Sequence, residues 1–232
     1  MKSIIVLLTF LINTTYQQLS ETYKYNTMPG IQVYLFKNDN AYSYISLTGN
    51  KLQMNGDLYL YLAKSIQEIE NDKVGVYAGV GFGSSTMVGA DTVICQYFVN
   101  RTETYRCQDW WSKGDPSPNR APKVDSSYNG ENDVTIVKGA IVSLNTKFAP
   151  YKTMINFQFI KTYNPNDVTA DWKDFQTWAS NGQGIMGAYG VNRGDGISKH
   201  SARSPTNLMI RDGQGCPVSV NGSAEEDDFS EF

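Results

Sequence analysis

Apolar and polar positions alternate along most of this chain. The stretch IQVYLFKNDNAYSYISLTG at 31–49 is rich in β-branched and aromatic residues, and DLYLYLAKSI at 57–66 alternates with period two. KVGVYAGVGF (73–82) and DTVICQYFV (91–99) predict two more strands, separated by a Gly/Ser-rich turn that carries Met87. DVTIVKGAIVSLNTKF (133–148), TMINFQFIKTY (153–163) and GIMGAYGVN (184–192) continue the pattern. Runs of this kind, bounded by Gly, Asn, Asp and Pro, predict an all-β sandwich. Helical periodicity is scarce, and KDFQTWAS at 173–180 reads as one helical turn or a strand. The stretch 112–133, with its Pro and Gly, reads as a long loop. No internal repeat is evident.

The apolar run Ile4–Ile12 follows Lys2, has the length of a signal-peptide core and is far short of a membrane span. The expected organisation is a signal peptide at 1–18 with cleavage near 15–20, a β-sandwich at 19–215, and an acidic, disordered tail at 216–232. The mature chain is then expected to be secreted and to have no membrane span. Its 232 residues suffice for one full core, and the net charge of −3 with no basic stripe argues against a nucleic-acid partner.

Secretion changes how the three cysteines read. In an oxidising compartment two should pair. Cys95 and Cys107 flank the turn-like NRTETY, so a hairpin there sets them opposite each other. That favours Cys95–Cys107, with Cys216 free or joined to a second chain; Cys107–Cys216 is the competing bridge. Asn100 in NRT and Asn221 in NGS are glycosylation sequons suited to surface loops.

His200 is the single histidine, in the loop-like RGDGISKHSARSP. It is either an exposed loop residue or a metal ligand. An imidazole and a thioether on two loops could hold a haem iron at both axial positions, which gives electron transfer and leaves no site for oxygen. No GxSxG elbow accompanies His200, the cysteine spacing is not that of a zinc site, and no carboxylate pair is distinguished by its setting. GVGFGSS misses both nucleotide-loop spacings. No catalytic residue emerges, so the chain reads as a carrier or binding module, not an enzyme.

Four segments in order carry a resemblance: KVGVYAGVGFGSSTMVGADTVICQY, CQDWWSKGDPSPNRAP, INFQFIKTYNPNDVTADW and GIMGAYGVNRGDGISKHSARS. Over residues 30–212 the chain resembles the DOMON family. The resemblance implies an immunoglobulin-like β-sandwich of about ten strands. In the family's haem-binding branch it further implies a b-type haem (haem b) held by a Met and a His from two loops, positions matched here by Met87 and His200. Other branches bind sugars or catechol-like ligands.

Met54 is a rival axial methionine, outside the matching position. Arg193, Lys199 and Arg203 lie near the histidine and could pair with haem propionates. Tyr77, Phe82, Trp110, Trp111 and Tyr189 could wall an apolar pocket, or could be ordinary core. The family's arginine after Phe-x-Phe is replaced by Lys161, which puts any contact made there in doubt. The leading expectation is a secreted b-type haem module for one-electron transfer, working with a separate redox partner protein. The alternatives are a haem-free module for a sugar or small aromatic ligand, and a structural surface protein linked through Cys216.

Overall fold

A computed structural model describes residues 28–49, 53–82, 90–111, 123–124, 126, 131–162, 184–203, 208–210 and 217–219. The strands are β1 (Met28–Lys37), β2 (Ala41–Gly49), β3 (Gln53–Leu62), β4 (Val76–Phe82), β5 (Asp91–Tyr97), β6 (Tyr105–Trp111), β7 (Lys123–Val124), β8 (Val134–Ser143), β9 (Thr153–Thr162) and β10 (Gly184–Arg193). Short strands β11 (Gly196–Ile197), β12 (Ala202–Arg203), β13 (Leu208–Ile210) and β14 (Pro217–Ser219) follow. They form two antiparallel sheets, one ordered β1-β2-β3-β9-β8 and the other β14-β13-β10-β4-β5-β6-β7, with β11 and β12 also on β10. The expected β-sandwich is present. Among the described residues nine strands have seven or more residues. The sheet includes Pro217–Ser219, inside the stretch read as tail.

Alternation is clearest in the first sheet. In β2 every second residue from Ala41 to Leu47 is buried, and β3 repeats the pattern from Met54 to Leu62. The inward residues Ile45, Leu47, Leu58, Leu60, Ile155, Phe157 and Phe159 meet Val76, Ala78, Val80, Val93 and Cys95 of the second sheet in one core. β4 and β5 are buried at every position, because their outer face also carries an apolar cluster of Tyr77, Ile94 and Trp110. Near one edge the sheets approach closely at Gly139 of β8, where an added Cβ would lie 2.1 Å from the Tyr105 ring.

The apolar pattern gave no sign of α1 (Ile66–Asn71), the α-helix among the described residues. Its signal was local: Ser65 and Glu68 form a reciprocal capping box, which satisfies amide donors at the helix start. No helix among the described residues is long and apolar enough to cross a membrane.

Candidate functional site

Cys95 and Cys107 face each other in the β5–β6 register and form a disulfide. The pairing expected from the hairpin is the one present, and it fits an oxidising compartment. Asn100 is exposed at the β5–β6 turn, where its φ of 56° is one that Asn tolerates. Cys216, Asn221 and the stretches 1–18 and 173–180 lie outside the described residues.

The loop before His200 is built from a tight hairpin. Arg193 pairs with Gly196, and Gly194 takes φ 62°, a conformation glycine adopts without penalty. Buried Asn192 anchors the hairpin by donating to the carbonyls of Tyr97 (2.8 Å) and Val74 (3.1 Å), and its own carbonyl accepts from Gln96. Asp195 pairs with Arg101 and Arg106, and both guanidinium groups lie over the Phe98 ring. The chain then returns along β10 as a strap. The amide of Ser198 donates to the Val191 carbonyl and that of Ser201 to the Tyr189 carbonyl, so His200 is held between two backbone hydrogen bonds.

His200 is half-buried. Partial burial first, then Arg203 and Lys199, hold its imidazole below the ordinary value of 6.5. The neutral ring is the form that binds a metal. Because the folded state disfavours the proton, this histidine withdraws stability as pH falls from about 6.5 through its lowered folded value. We expect the His200 ring resonances of haem-free protein to titrate below 6.5 in an NMR pH series, and to move upward in Arg203→Gln. A midpoint unmoved by that substitution would remove Arg203 from the account.

The other expected site residues are distributed as follows. Arg193, Lys199 and Arg203 are exposed around the strap. Met87 lies outside the described residues. Met54 is fully buried in the core between the sheets, so the rival ligand is a packing residue. The five aromatics do not wall one pocket. Phe82 faces the inter-sheet core, Tyr77 and Trp110 pack on the outer face of the second sheet, and Tyr189 stacks on Phe36 across the sandwich. Trp111 is half-buried.

A cluster that the sequence did not reveal lies inside the sandwich. Lys161 of β9, 1% exposed, sends its ammonium to Asp133 (2.7 Å), Asp91 (3.1 Å) and Asp109. Asp109 is held by its own amide, which donates to Asn132. Burial, and then the neighbouring Asp91, push the Asp109 carboxyl well above the usual range. Burial also raises Asp91, against the pull of Lys161. The three carboxylates raise the lysine, overcoming its own desolvation. Asp91, Asp109 and Lys161 come from three of the four segments that carry the DOMON resemblance. In this chain they form an ionic tie between the sheets. Among the described residues no group of three or more His, Cys, Asp or Glu side chains is arranged to hold a metal ion.

These features define a disulfide-bonded β-sandwich with a histidine strap along β10. No family model and no curated protein matches the chain. Among solved structures it is similar to the cytochrome domain of Myriococcum thermophilum cellobiose dehydrogenase, at 10% identity and a TM-score of 0.46, over 75% of this chain and 78% of that one.

Proposed function

We propose that the chain is an extracellular b-type haem module of the DOMON type that passes single electrons, with Met87 and His200 as axial ligands. The observation that supports this most is the setting of His200. The chain's one histidine is fixed on both sides by backbone hydrogen bonds to β10, half-buried, with Arg203 and Lys199 near enough to lower its basicity. The donor chemistry fits the group: an imidazole fixed in place, and guanidinium and ammonium groups that suit carboxylate arms. A haem held by both ligands would supply reversible one-electron chemistry with no open coordination position.

In this reading His200 would ligate the iron, and Arg193, Lys199 and Arg203 would pair with the propionates.

The test is a visible spectrum of the secreted protein after haem addition, oxidised and reduced. Sharp bands of low-spin six-coordinate haem are expected, abolished by His200→Ala and converted to a five-coordinate form by Met87→Ala. A folded protein that takes up no haem overturns the proposal.

A further inference from the structure

The outer face of the five-stranded sheet carries six half-buried tyrosines whose rings lie against one another. Tyr34 of β1 lies opposite Tyr44 of β2, Tyr44 lies opposite Tyr59 of β3, and the next rung pairs Tyr42 with Tyr61. Tyr44 and Tyr59 are the closest pair in the array, with ring centroids 4.6 Å apart and planes 14° from parallel. Tyr42 and Tyr61 are 5.3 Å apart and tilted by 37°. Tyr42 and Tyr44, 5.8 Å apart, join the two rungs, and Tyr34 and Tyr151 each lie 6.1 Å from Tyr42. Cross-strand aromatic pairs stabilise a sheet through their rings, and Phe would serve that purpose. Six phenols on one face add something that stacking does not require. Each can give up an electron together with a proton.

Such an oxidation needs a proton acceptor, and one is in place. The Tyr59 hydroxyl donates to the Asp57 carboxylate at 3.0 Å. Asn156 and Gln158 of β9 also donate to Asp57 and fix its position. The Tyr151 hydroxyl donates instead to the Asn38 carbonyl (2.8 Å), and an amide carbonyl is a far poorer base. Burial, then Asp57, push the Tyr59 hydroxyl up to about 12, and burial raises Tyr42 and Tyr44 too. These three phenols are therefore neutral at any physiological pH. None can lose an electron as a phenolate, so the proton has to leave with the electron. A hole formed anywhere in the stack can pass from ring to ring, and it settles where a base takes the proton, at Tyr59. The ring against which Tyr59 lies is Tyr44, and their separation is close to that of the two ring centres in a biphenyl.

We propose that Tyr44 and Tyr59 form an oxidative modification site, at which a peroxidase-class oxidant couples the two rings into a dityrosine bridge between β2 and β3. Each phenol gives up one electron to the peroxide-oxidised peroxidase. The Tyr59 proton passes to Asp57 and on to solvent, and the Tyr44 proton passes to solvent. The two phenoxyl radicals join through one carbon of each ring, ortho to the hydroxyl. Those carbons then lose their hydrogens as protons, and the two oxygens are reprotonated. The net reaction turns two phenols and one hydrogen peroxide into one dityrosine and two waters. The disulfide fits an oxidising compartment, where such an oxidant belongs. The site is on the opposite sheet from His200 and does not depend on haem.

The experiment treats the full secreted, haem-free chain, in dilute solution, with hydrogen peroxide and a soluble peroxidase. Dityrosine fluorescence follows the reaction, and intact mass and peptide mapping locate the product. The expected product is a monomer lighter by two hydrogen atoms, with one peptide joining Tyr44 to Tyr59. Tyr44→Phe and Tyr59→Phe keep the stacked rings and should each abolish that bridge, whereas Tyr42→Phe/Tyr61→Phe should retain it. Asp57→Asn, with an unaltered circular-dichroism spectrum, should slow its formation at least about tenfold, a modest share of what a positioned proton acceptor contributes. Absence of dityrosine in the folded, peroxidase-treated chain overturns the proposal. So does a bridge at Tyr42–Tyr61, or coupling found only between chains. A Tyr44–Tyr59 bridge formed at the same rate in Asp57→Asn removes the proton acceptor, and with it the reason for the site, and overturns it as well.

Discussion

Replacing Lys161 by methionine is expected to cost about 3–5 kcal/mol of stability at neutral pH, the usual consequence of removing one partner from a buried ion cluster. Lys161 is 1% exposed and is the cation among Asp91, Asp109 and Asp133. Methionine fills the space but leaves three carboxyls facing one another with no counter-charge. The loss carries a sign in pH. Burial already raises the Asp91 and Asp109 carboxyls in the folded state, so they favour folding less as pH rises above the usual carboxylate value of 3.8. Lys161 is raised as well, so its contribution is complete below its unfolded value of 10.5 and is lost above it. Removing the lysine exposes the carboxylate dependence alone. Denaturant unfolding should therefore show a large deficit for Lys161→Met at pH 8 and a much smaller one near pH 4. Adding Asp109→Asn should recover part of the deficit at pH 8, a non-additive result expected of groups in contact. A deficit equal at both pH values would mean that packing, not charge, accounts for the site.

The second large effect concerns the disulfide. Cys95 and Cys107 are 12 residues apart in sequence, and both are buried. Cross-linking a loop of that size removes about 3 kcal/mol of unfolded-state freedom in the chain-entropy account. The double variant Cys95→Ala/Cys107→Ala should lose about that much, which for a domain of this length corresponds to roughly 6–12 °C in Tm. Reduction of the native protein under unfolding conditions should give a similar shift, because the bond acts mainly on the unfolded chain. A loss below about 1 kcal/mol would place the stabilisation elsewhere.

The sequence made the sandwich legible where one face of a sheet is open. In β2 and β3 the tyrosines alternate with Ile and Leu, so the period of two is visible directly. β4 and β5 gave only continuous apolar runs, because the Tyr77–Ile94–Trp110 cluster covers their second face. The disulfide was legible because its partners flank a single hairpin. The ionic tie was not, since Asp91, Asp109, Asp133 and Lys161 sit on four separate segments. Its one signal was a lysine in phase with the inward residues Ile155, Phe157 and Phe159. The stacked tyrosines were in plain view as AYSY and LYLY, but alternation alone says strand and not which rings meet. The strap shows where alternation stops being informative: His200 is placed by hydrogen bonds to β10, which no local pattern encodes.

The position of the cross-link has a mechanical consequence. Cys95 and Cys107 form the third rung from the turn in the β5–β6 ladder, with Tyr97–Tyr105 on the turn side and Asp91–Trp111 at the open end. A pull that separates Asp91 from Trp111 can peel the hairpin only as far as the sulfurs. The turn beyond them, with exposed Asn100 at its tip, bears no load until a covalent bond breaks. The hairpin thus has a fixed limit of extension for as long as the sulfurs stay bonded.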